Sequence, residues 1–171
     1  ALNMSHAEII IKSDEIIGKH KLKNLLEYIT RLEKKEPIQY IIGQVNFADV
    51  PINVNNHVLI PRPETESLVY WIKEQEQQNP SVLDICTGSG CIAFALEKHL
   101  HAKVNAWDIS HKALQFAKQT AKAIGSSVNF SNVDILSTID TDQKWDIIVS
   151  NPPYVLEEER AEIDGNVLHY E

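Results

Sequence analysis

Apolar residues in the N-terminal part of the chain recur at the spacing of one helical face. Between residues 19 and 37 they are Leu22, Leu25, Leu26, Ile29 and Leu32. Pro37 ends this pattern, because proline interrupts a helix. The pattern therefore predicts an amphipathic helix before Pro37.

The next segment, residues 39–55, has the composition of a β-hairpin. It is rich in β-branched and aromatic residues, and Ala48-Asp49 stands where a turn is expected. A proline-containing loop follows and leads into a further helix. Pro63 suits the first turn of that helix, and Glu64 and Glu66 suit its positive end.

From Ser81 onward, short apolar strands alternate with helices. Ser110 is a good N-cap for the second of these helices, and Gly125 is a good stop signal. The strands lack a polar face, which is typical of a parallel sheet covered by helices on both faces, an α/β fold. The predicted strands are residues 81–85, 103–109, 127–133 and 145–150, and the predicted helices between them are residues 91–100 and 110–125.

Composition limits the classes of function. The 171 residues carry a formal net charge of −8, which argues against a protein that mainly grips nucleic-acid phosphate. No apolar run reaches the length of a membrane span, and no signal peptide is visible. The two cysteines have no other candidate metal ligands at a suitable spacing, and they indicate a reduced, cytoplasmic setting. The scattered histidines indicate no metal site.

The segment LDICTGSGCIAF predicts a strand, a glycine-rich turn and a helix start. Gly88 and Gly90 let the backbone approach a ligand, and the helix start offers free N–H groups. A tight turn that binds nothing is the alternative. The dinucleotide fingerprint is poorly matched, and Asp84 before the turn would repel a pyrophosphate. Asp84 suits a ligand with a cationic amino group instead.

Two further strand ends carry carboxylates. Asp108 is placed to accept the two ribose hydroxyls of a nucleoside beside the glycine turn, unless it is only a solvated strand end. Asp134 follows the next strand and suits an adenine amino group, with Ile135 packing on the ring. By itself, however, Asp134 is more simply an ordinary aspartate after a strand.

The segment NPPY, residues 151–154, is a rigid polar corner at the end of a strand. Asn151 offers a side-chain carbonyl, Pro152 offers a backbone carbonyl, and Tyr154 offers a flat face. Two fixed acceptors suit an –NH2 group on a planar system. They localise its lone pair and stabilise the charge that develops as a methyl group arrives. Together with the pocket upstream, the corner predicts amino-group methylation with S-adenosylmethionine as the donor.

Further motifs accompany the NPPY corner: EPI at residues 36–38, Gly43, IPRPETE at residues 60–66 and the segment after NPPY. In these motifs the chain resembles the HemK/PrmC family of protein glutamine methyltransferases. The resemblance implies a class I, Rossmann-like, S-adenosylmethionine-dependent methyltransferase fold. Residues 1–38 would be part of a helical substrate-binding domain, 39–62 a hairpin linker and 63–171 the catalytic domain. The family's sheet has seven strands and only four are counted here, so the chain is expected to be truncated.

The resemblance also implies roles for residues. The loop of Cys86, Thr87, Gly88, Ser89 and Gly90 would line the methionine end of the cofactor. Asp108 would hold the ribose, and Asp134 and Ile135 the adenine. Residues 151–154 (Asn151, Pro152, Pro153 and Tyr154) would hold the substrate glutamine, with Arg62 and Glu66 nearby. Asn151 would contact the cofactor as well. The substrate would be the Gly-Gly-Gln loop of class 1 peptide chain release factors, methylated by a monomeric enzyme.

Three alternatives make different predictions. An enzyme that methylates amino groups of DNA or RNA bases shares NPPY but predicts a basic groove. A non-catalytic module that keeps only the pocket predicts a broken NPPY corner. A nicotinamide oxidoreductase predicts a third glycine in the turn and no Asp84.

Overall fold

Local sequence signals set most of the element boundaries in the computed structural model, which describes residues 4–75, 79–137 and 141–153. The helices of this part of the chain are α1 (His6–Ile11), α2 (Lys19–Glu33), α3 (Ile38–Ile42), α4 (Pro63–Glu74), α5 (Cys91–Leu100) and α6 (His111–Ile124). Its strands are β1 (Gln44–Phe47), β2 (Val50–Asn53), β3 (Ser81–Ile85), β4 (Lys103–Asp108), β5 (Asn129–Asn132) and β6 (Ile147–Ser150). None of these helices is long and apolar enough to cross a membrane.

The predicted helix caps are confirmed. Pro63 opens α4, with Glu64 and Glu66 in its first turn. The Ser110 side chain accepts the Ala113 N–H at the start of α6. Gly125 closes α6 in the left-handed conformation, with φ of 72°. These signals act within one turn of the chain, which is why the sequence alone reveals them.

The predicted turn of the hairpin is confirmed, but the predicted first residue of the β segment is not. Strands β1 and β2 pair antiparallel, and Ala48 and Asp49 form a two-residue turn with positive φ at both positions. The prediction that the β segment begins at residue 39 is wrong, because Ile38–Ile42 is the helix α3. Tyr40 is buried there and its hydroxyl donates to the Val58 carbonyl at 2.8 Å. This tertiary packing outweighs the β propensity of the segment.

The four strands β3 to β6 form a parallel sheet in the order β5-β4-β3-β6. This confirms the predicted α/β fold. The crossovers through α5 and α6 step in the same direction, so right-handed connections place both helices on one face. Buried side chains of that face, among them Val82, Ala106 and Phe130, share a core with the helices. On the opposite face, Ile148 is 62% exposed.

The hairpin packs against the helices of the sheet. Phe47 and Ile52 are fully buried in the shared core. At the hairpin turn, Lys98 Nζ donates to the Asp49 carbonyl at 2.6 Å, and His99 Nε2 lies 2.8 Å from the Ala48 carbonyl. The turn is therefore held by the C-terminal end of α5.

Candidate active site

A cavity of about 330 Å³ lies at the carboxyl ends of β3, β4 and β5. Ligands of open parallel sheets bind at this edge, and the volume lies within the range of small-molecule sites. The cavity is lined by Ile85, Cys86, Trp107, Asp108, Ile109, Val133, Asp134, Ile135, Leu136, Pro152 and Pro153. A larger cavity of about 460 Å³ at α1 and α2 lies in a different part of the fold and lacks these strand-end groups.

The cavity collects predicted residues from four separate segments. The wall includes the predicted residues Cys86, Asp108, Asp134, Ile135, Pro152 and Pro153. Five apolar residues of the wall were not predicted from the sequence: Ile85, Trp107, Ile109, Val133 and Leu136. Each of these is next to a predicted site residue in the sequence. Their position at the ends of the predicted strands could therefore have identified them as part of the wall. An apolar wall beside carboxylates suits a flat ring that carries polar groups.

The glycine loop connects β3 to α5 through a series of left-handed residues. Cys86, Gly88 and Gly90 all have positive φ, at 60°, 54° and 81°. A Cβ on Gly90 would lie 2.7 Å from Cε2 of Phe94, which is buried. The Thr87 N–H donates to the Trp107 carbonyl at 3.0 Å and thereby ties the loop to β4. Glycine at position 90 is required both by its backbone conformation and by this close packing.

Asp108 joins the glycine loop to the start of α6. Its Oδ2 accepts the Gly88 N–H at 2.8 Å, and its Oδ1 accepts the Ser110 N–H at 2.8 Å. The predicted position of Asp108 beside the loop is thus confirmed. A carboxylate has about four acceptor sites, so each oxygen retains capacity for a further donor such as a ribose hydroxyl.

Asp134 and Ile135 lie on the same cavity wall. Asp134 Oδ1 accepts the Leu136 N–H at 3.0 Å, and Oδ2 accepts the Ser137 hydroxyl at 3.0 Å. The carboxylate therefore stabilises its own turn while it faces the cavity. Ile135 is 40% exposed, which leaves an apolar surface open to a ligand.

Asp84 lies beneath the glycine loop and not on the cavity wall. It is fully buried, and its Oδ2 accepts the Thr87 hydroxyl at 2.6 Å. Burial raises the pKa of Asp84 to about 7, although the hydrogen bonds from Thr87 and the Ala93 backbone oppose the change. Its Oδ1 has no hydrogen-bond partner within the described residues.

Cys86 of the loop and Cys91 at the start of α5 are free thiols. Burial raises the pKa of Cys86, which lines the cavity, and the charge of Asp108 raises it further. Burial raises the pKa of Cys91 to about 12. Both thiols are therefore protonated near neutral pH, which does not suit the role of a nucleophile.

The NPPY corner follows β6 at the edge of the cavity. Pro152 and Pro153 are exposed and contribute to the wall, and Tyr154 lies outside the described residues. Asn151 is half-buried, and its Nδ2 donates to Thr65 Oγ1 at 3.4 Å. Thr65 belongs to the IPRPETE segment, so the fold brings these two motifs together.

Arg62 and Glu66 flank Thr65 at the start of α4. Arg62 is the N-cap residue, Glu66 lies in the first turn, and both side chains are half-buried. Neither residue belongs to the cavity wall. Their role in substrate binding stays a prediction.

Comparisons with known proteins match two family models. Residues 63–168 match the methyltransferase small domain, and residues 1–43 match the PrmC N-terminal domain. The chain is 42% identical to a release factor glutamine methyltransferase of Flavobacterium psychrophilum, over 98% of this chain and 61% of that protein. It is 44% identical to the enzyme of the same name from Bacteroides thetaiotaomicron, over 99% of this chain and 62% of that protein. The chain thus spans about three-fifths of the length of these curated relatives.

A solved structure shares the fold. It is a tRNA (uracil-54, C5)-methyltransferase of Pyrococcus abyssi in complex with S-adenosyl-L-homocysteine. The TM-score is 0.55 at 16% sequence identity, over 74% of this chain and 30% of that chain. At this level of identity the likeness shows a common fold and no common substrate.

Proposed function

We propose, because the chain belongs to the methyltransferase small domain family, that the protein methylates the side-chain amide nitrogen of a glutamine in class 1 peptide chain release factors. The methyl donor is S-adenosylmethionine, and the target is the glutamine of the Gly-Gly-Gln motif. The observation that carries the proposal is the cavity at the strand ends, whose wall joins Asp108 and Asp134 to the NPPY corner. The names of the curated relatives support the choice of substrate.

The residues of the cavity fit the donor. Asp108 has free acceptor capacity for ribose hydroxyls, and its bond to the Gly88 N–H places it beside the loop. Trp107, Ile109 and Ile135 supply an apolar wall for an adenine ring, with Asp134 at its polar edge. S-adenosylmethionine, when bound, supplies an electrophilic methyl group on a sulfonium centre.

The glycine loop is proposed to receive the methionine part of the donor. Cys86 contributes directly to the cavity wall, while Thr87 and Ser89 are buried and support the backbone of Gly88 and Gly90. Asp84 braces the loop through Thr87. Because its carboxyl is fully buried and lies off the cavity wall, Asp84 is proposed to support cofactor binding through the loop and not by direct contact.

The NPPY corner is proposed to hold the acceptor glutamine. The Asn151 side-chain carbonyl and the Pro152 backbone carbonyl accept the two N–H groups of the substrate amide. These bonds aim the nitrogen lone pair at the methyl carbon and stabilise positive charge as it develops on nitrogen. Pro153 stiffens the corner, and Tyr154 is proposed to cover the planar amide. Asn151, Pro152 and Tyr154 are thus the proposed catalytic residues.

The proposal extends to the parts around the site. Residues 1–38 form part of a helical domain that grips the release factor, 39–62 link it to the catalytic domain, and 63–171 carry the chemistry. Arg62 and Glu66 contact the substrate loop. The protein is proposed to act as a monomer in the cytoplasm.

The test is a methyl-transfer assay with the full-length protein and labelled S-adenosylmethionine. The acceptors are a release factor, the same factor with the Gly-Gly-Gln glutamine changed to alanine, and unmethylated DNA and RNA. We expect label on the intact factor alone. Asn151→Ala should lower kcat by about 100-fold or more, because one of two preorganised acceptors is lost.

Binding of the donor is the matched control for this variant. Asn151→Ala should bind S-adenosylmethionine with nearly unchanged affinity, since Asn151 is not part of the cavity wall. Label on nucleic acid in place of the release factor would identify the enzyme as a base amino-methyltransferase. Label that survives the change of the target glutamine to alanine would place the reaction at another residue.

A further inference from the structure

The hydrogen bond between Thr65 and Asn151 joins two segments that are 86 residues apart in the sequence. Asn151 Nδ2 is the donor and Thr65 Oγ1 is the acceptor, at 3.4 Å. Both side chains are half-buried. Within the described residues, the hydrogen bonds include none to Asn151 Oδ1.

The orientation of the Asn151 amide decides what it offers to a substrate. With Nδ2 bound to Thr65, Oδ1 points away from Thr65 and can accept an N–H. If the amide rotated by half a turn, its two N–H donors would face the two N–H donors of a glutamine amide. Two sets of donors cannot form a hydrogen bond, so this orientation would reject the proposed substrate.

Both partners of the bond are attached to well-fixed backbone. Thr65 lies in the first turn of α4, where its N–H donates to the Arg62 carbonyl at 3.0 Å. Asn151 directly follows Ser150, which pairs with Ile85 in the sheet and whose hydroxyl donates to the Ile85 carbonyl at 2.9 Å. Threonine is also stiff at χ1, because it is branched at Cβ. Thr65 is therefore suited to hold a neighbouring side chain at a fixed position.

We propose that Thr65 is a positioning residue, which keeps the carbonyl oxygen of Asn151 directed at the amide nitrogen to be methylated. This role rests on the proposed function, since it assumes that Asn151 binds an –NH2 group. Thr65 acts through Asn151 and does not itself contact the methyl donor, because it lies outside the cavity wall.

The experiment compares three variants of the full-length protein. Thr65→Val removes the hydroxyl and preserves the shape, Thr65→Ser keeps the hydroxyl, and Ser67→Ala removes an exposed hydroxyl from the same helix. Thr65→Val should lower kcat about fivefold to tenfold, the size expected for one neutral hydrogen bond. KM for S-adenosylmethionine should stay the same. Thr65→Ser should restore kcat, and Ser67→Ala should match the wild type.

The double variant Thr65→Val, Asn151→Ala provides a further check. Because Thr65 acts through Asn151, adding Thr65→Val to Asn151→Ala should not lower kcat any further. Equal kcat for Thr65→Val and wild type would overturn the proposal. Equal losses for the valine and serine variants would overturn it as well, because they would indicate a packing role.

A measurement without turnover separates this proposal from the proposed function. The side-chain amide signals of Asn151, recorded by ¹⁵N NMR and identified with Asn151→Ala, should move in Thr65→Val and not in Ser67→Ala. If the wild-type protein fails to methylate the release factor, the proposed function fails while this signal still tests the bond. If the wild type is active but neither kcat nor the signal responds to Thr65→Val, only the positioning role fails.

Discussion

Asp84 and Asp108 are both strand-end aspartates, but their surroundings differ. Asp108 accepts two backbone N–H groups and faces the cavity. Asp84 is fully buried against α5 and has one oxygen without a partner. Both residues were predicted from the sequence to bind the cofactor. They lie on the same face of the sheet, because Asp84 pairs with Ala106, but Asp108 ends β4 at the cavity while Asp84 lies one level deeper, beneath the loop and α5. The sequence does not show this difference, because it depends on the register between strands and on the packing of α5.

The buried carboxyl of Asp84 predicts a pH dependence of stability. Its pKa is about 7 in the folded protein against a reference value of 3.8, so the folded state binds more protons between these values. The free energy of unfolding should therefore fall as the pH rises through this window. Asp84→Asn removes the titration. As the pH rises through the window, the free energy of unfolding of this variant should increase relative to that of the wild type by about 1.4 kcal/mol per pH unit.

Urea unfolding at several pH values between about 5 and 8 checks this prediction. Asp142→Asn is the matched control, since it makes the same change of side chain at an exposed position. Parallel stability curves for wild type and Asp84→Asn would show that Asp84 does not titrate in this range.

At the scale of elements, the junction between β3 and α5 combines a strained loop with a tightly packed helix start. Gly90 is the left-handed N-cap residue of α5, and Phe94 packs directly over it. Phe94 in turn makes an edge-to-face contact with Phe130, with ring centroids 5.7 Å apart. The aromatic ring therefore has little freedom to move away from a side chain at position 90.

Gly90→Ala should be more destabilising than Gly125→Ala. Both glycines have positive φ, so alanine costs about 1–2 kcal/mol at each position. At Gly125 an added Cβ meets nothing within 4 Å, whereas at Gly90 it overlaps Phe94. Overpacking of this kind adds about 1–3 kcal/mol. Thermal or urea unfolding of the two variants measures the difference.

Cofactor binding distinguishes the two variants further. Gly90→Ala should also weaken binding of S-adenosylmethionine, because the loop must shift, while Gly125→Ala should not. Equal destabilisation by the two variants would indicate that Phe94 accommodates the added methyl group. The local sequence pattern predicted the glycine-rich turn. The contact between Gly90 and Phe94 depends on how α5 packs, so the pattern did not predict it.

At the scale of the whole molecule, the hairpin shares a hydrophobic core with the sheet and its helices. The resemblance to the HemK/PrmC family is confirmed by the two family models, which match along the chain in the expected order. Between the matched segments lies the hairpin, whose turn is bound by α5. The Ala48 carbonyl can only accept, so His99 Nε2 is the donor in this contact.

His99→Ala should loosen the hairpin. It removes the donor to the carbonyl of Ala48, a residue that is only 1% exposed. An unsatisfied buried carbonyl costs about 1–3 kcal/mol. The free energy of unfolding should fall by this amount, and amide hydrogen exchange should rise in β1 and β2.

The exposed histidine at the start of α6 provides the control for this measurement. His111→Ala should leave hairpin exchange unchanged, since its side chain is exposed. Unchanged exchange in His99→Ala would mean that the hydrophobic contacts of Phe47 and Ile52 suffice to hold the hairpin.

The sequence by itself determined the class of fold, the helix caps, the hairpin turn and the strand ends that carry the candidate ligands. These features follow from residue periodicity and from contacts within one turn, such as the Ser110 cap of α6. Only the tertiary structure decided that Ile38–Ile42 is helical, that Asp84 is enclosed, and that Thr65 meets Asn151. Each of these depends on packing between segments far apart in the chain, and one sequence carries no direct signal for it.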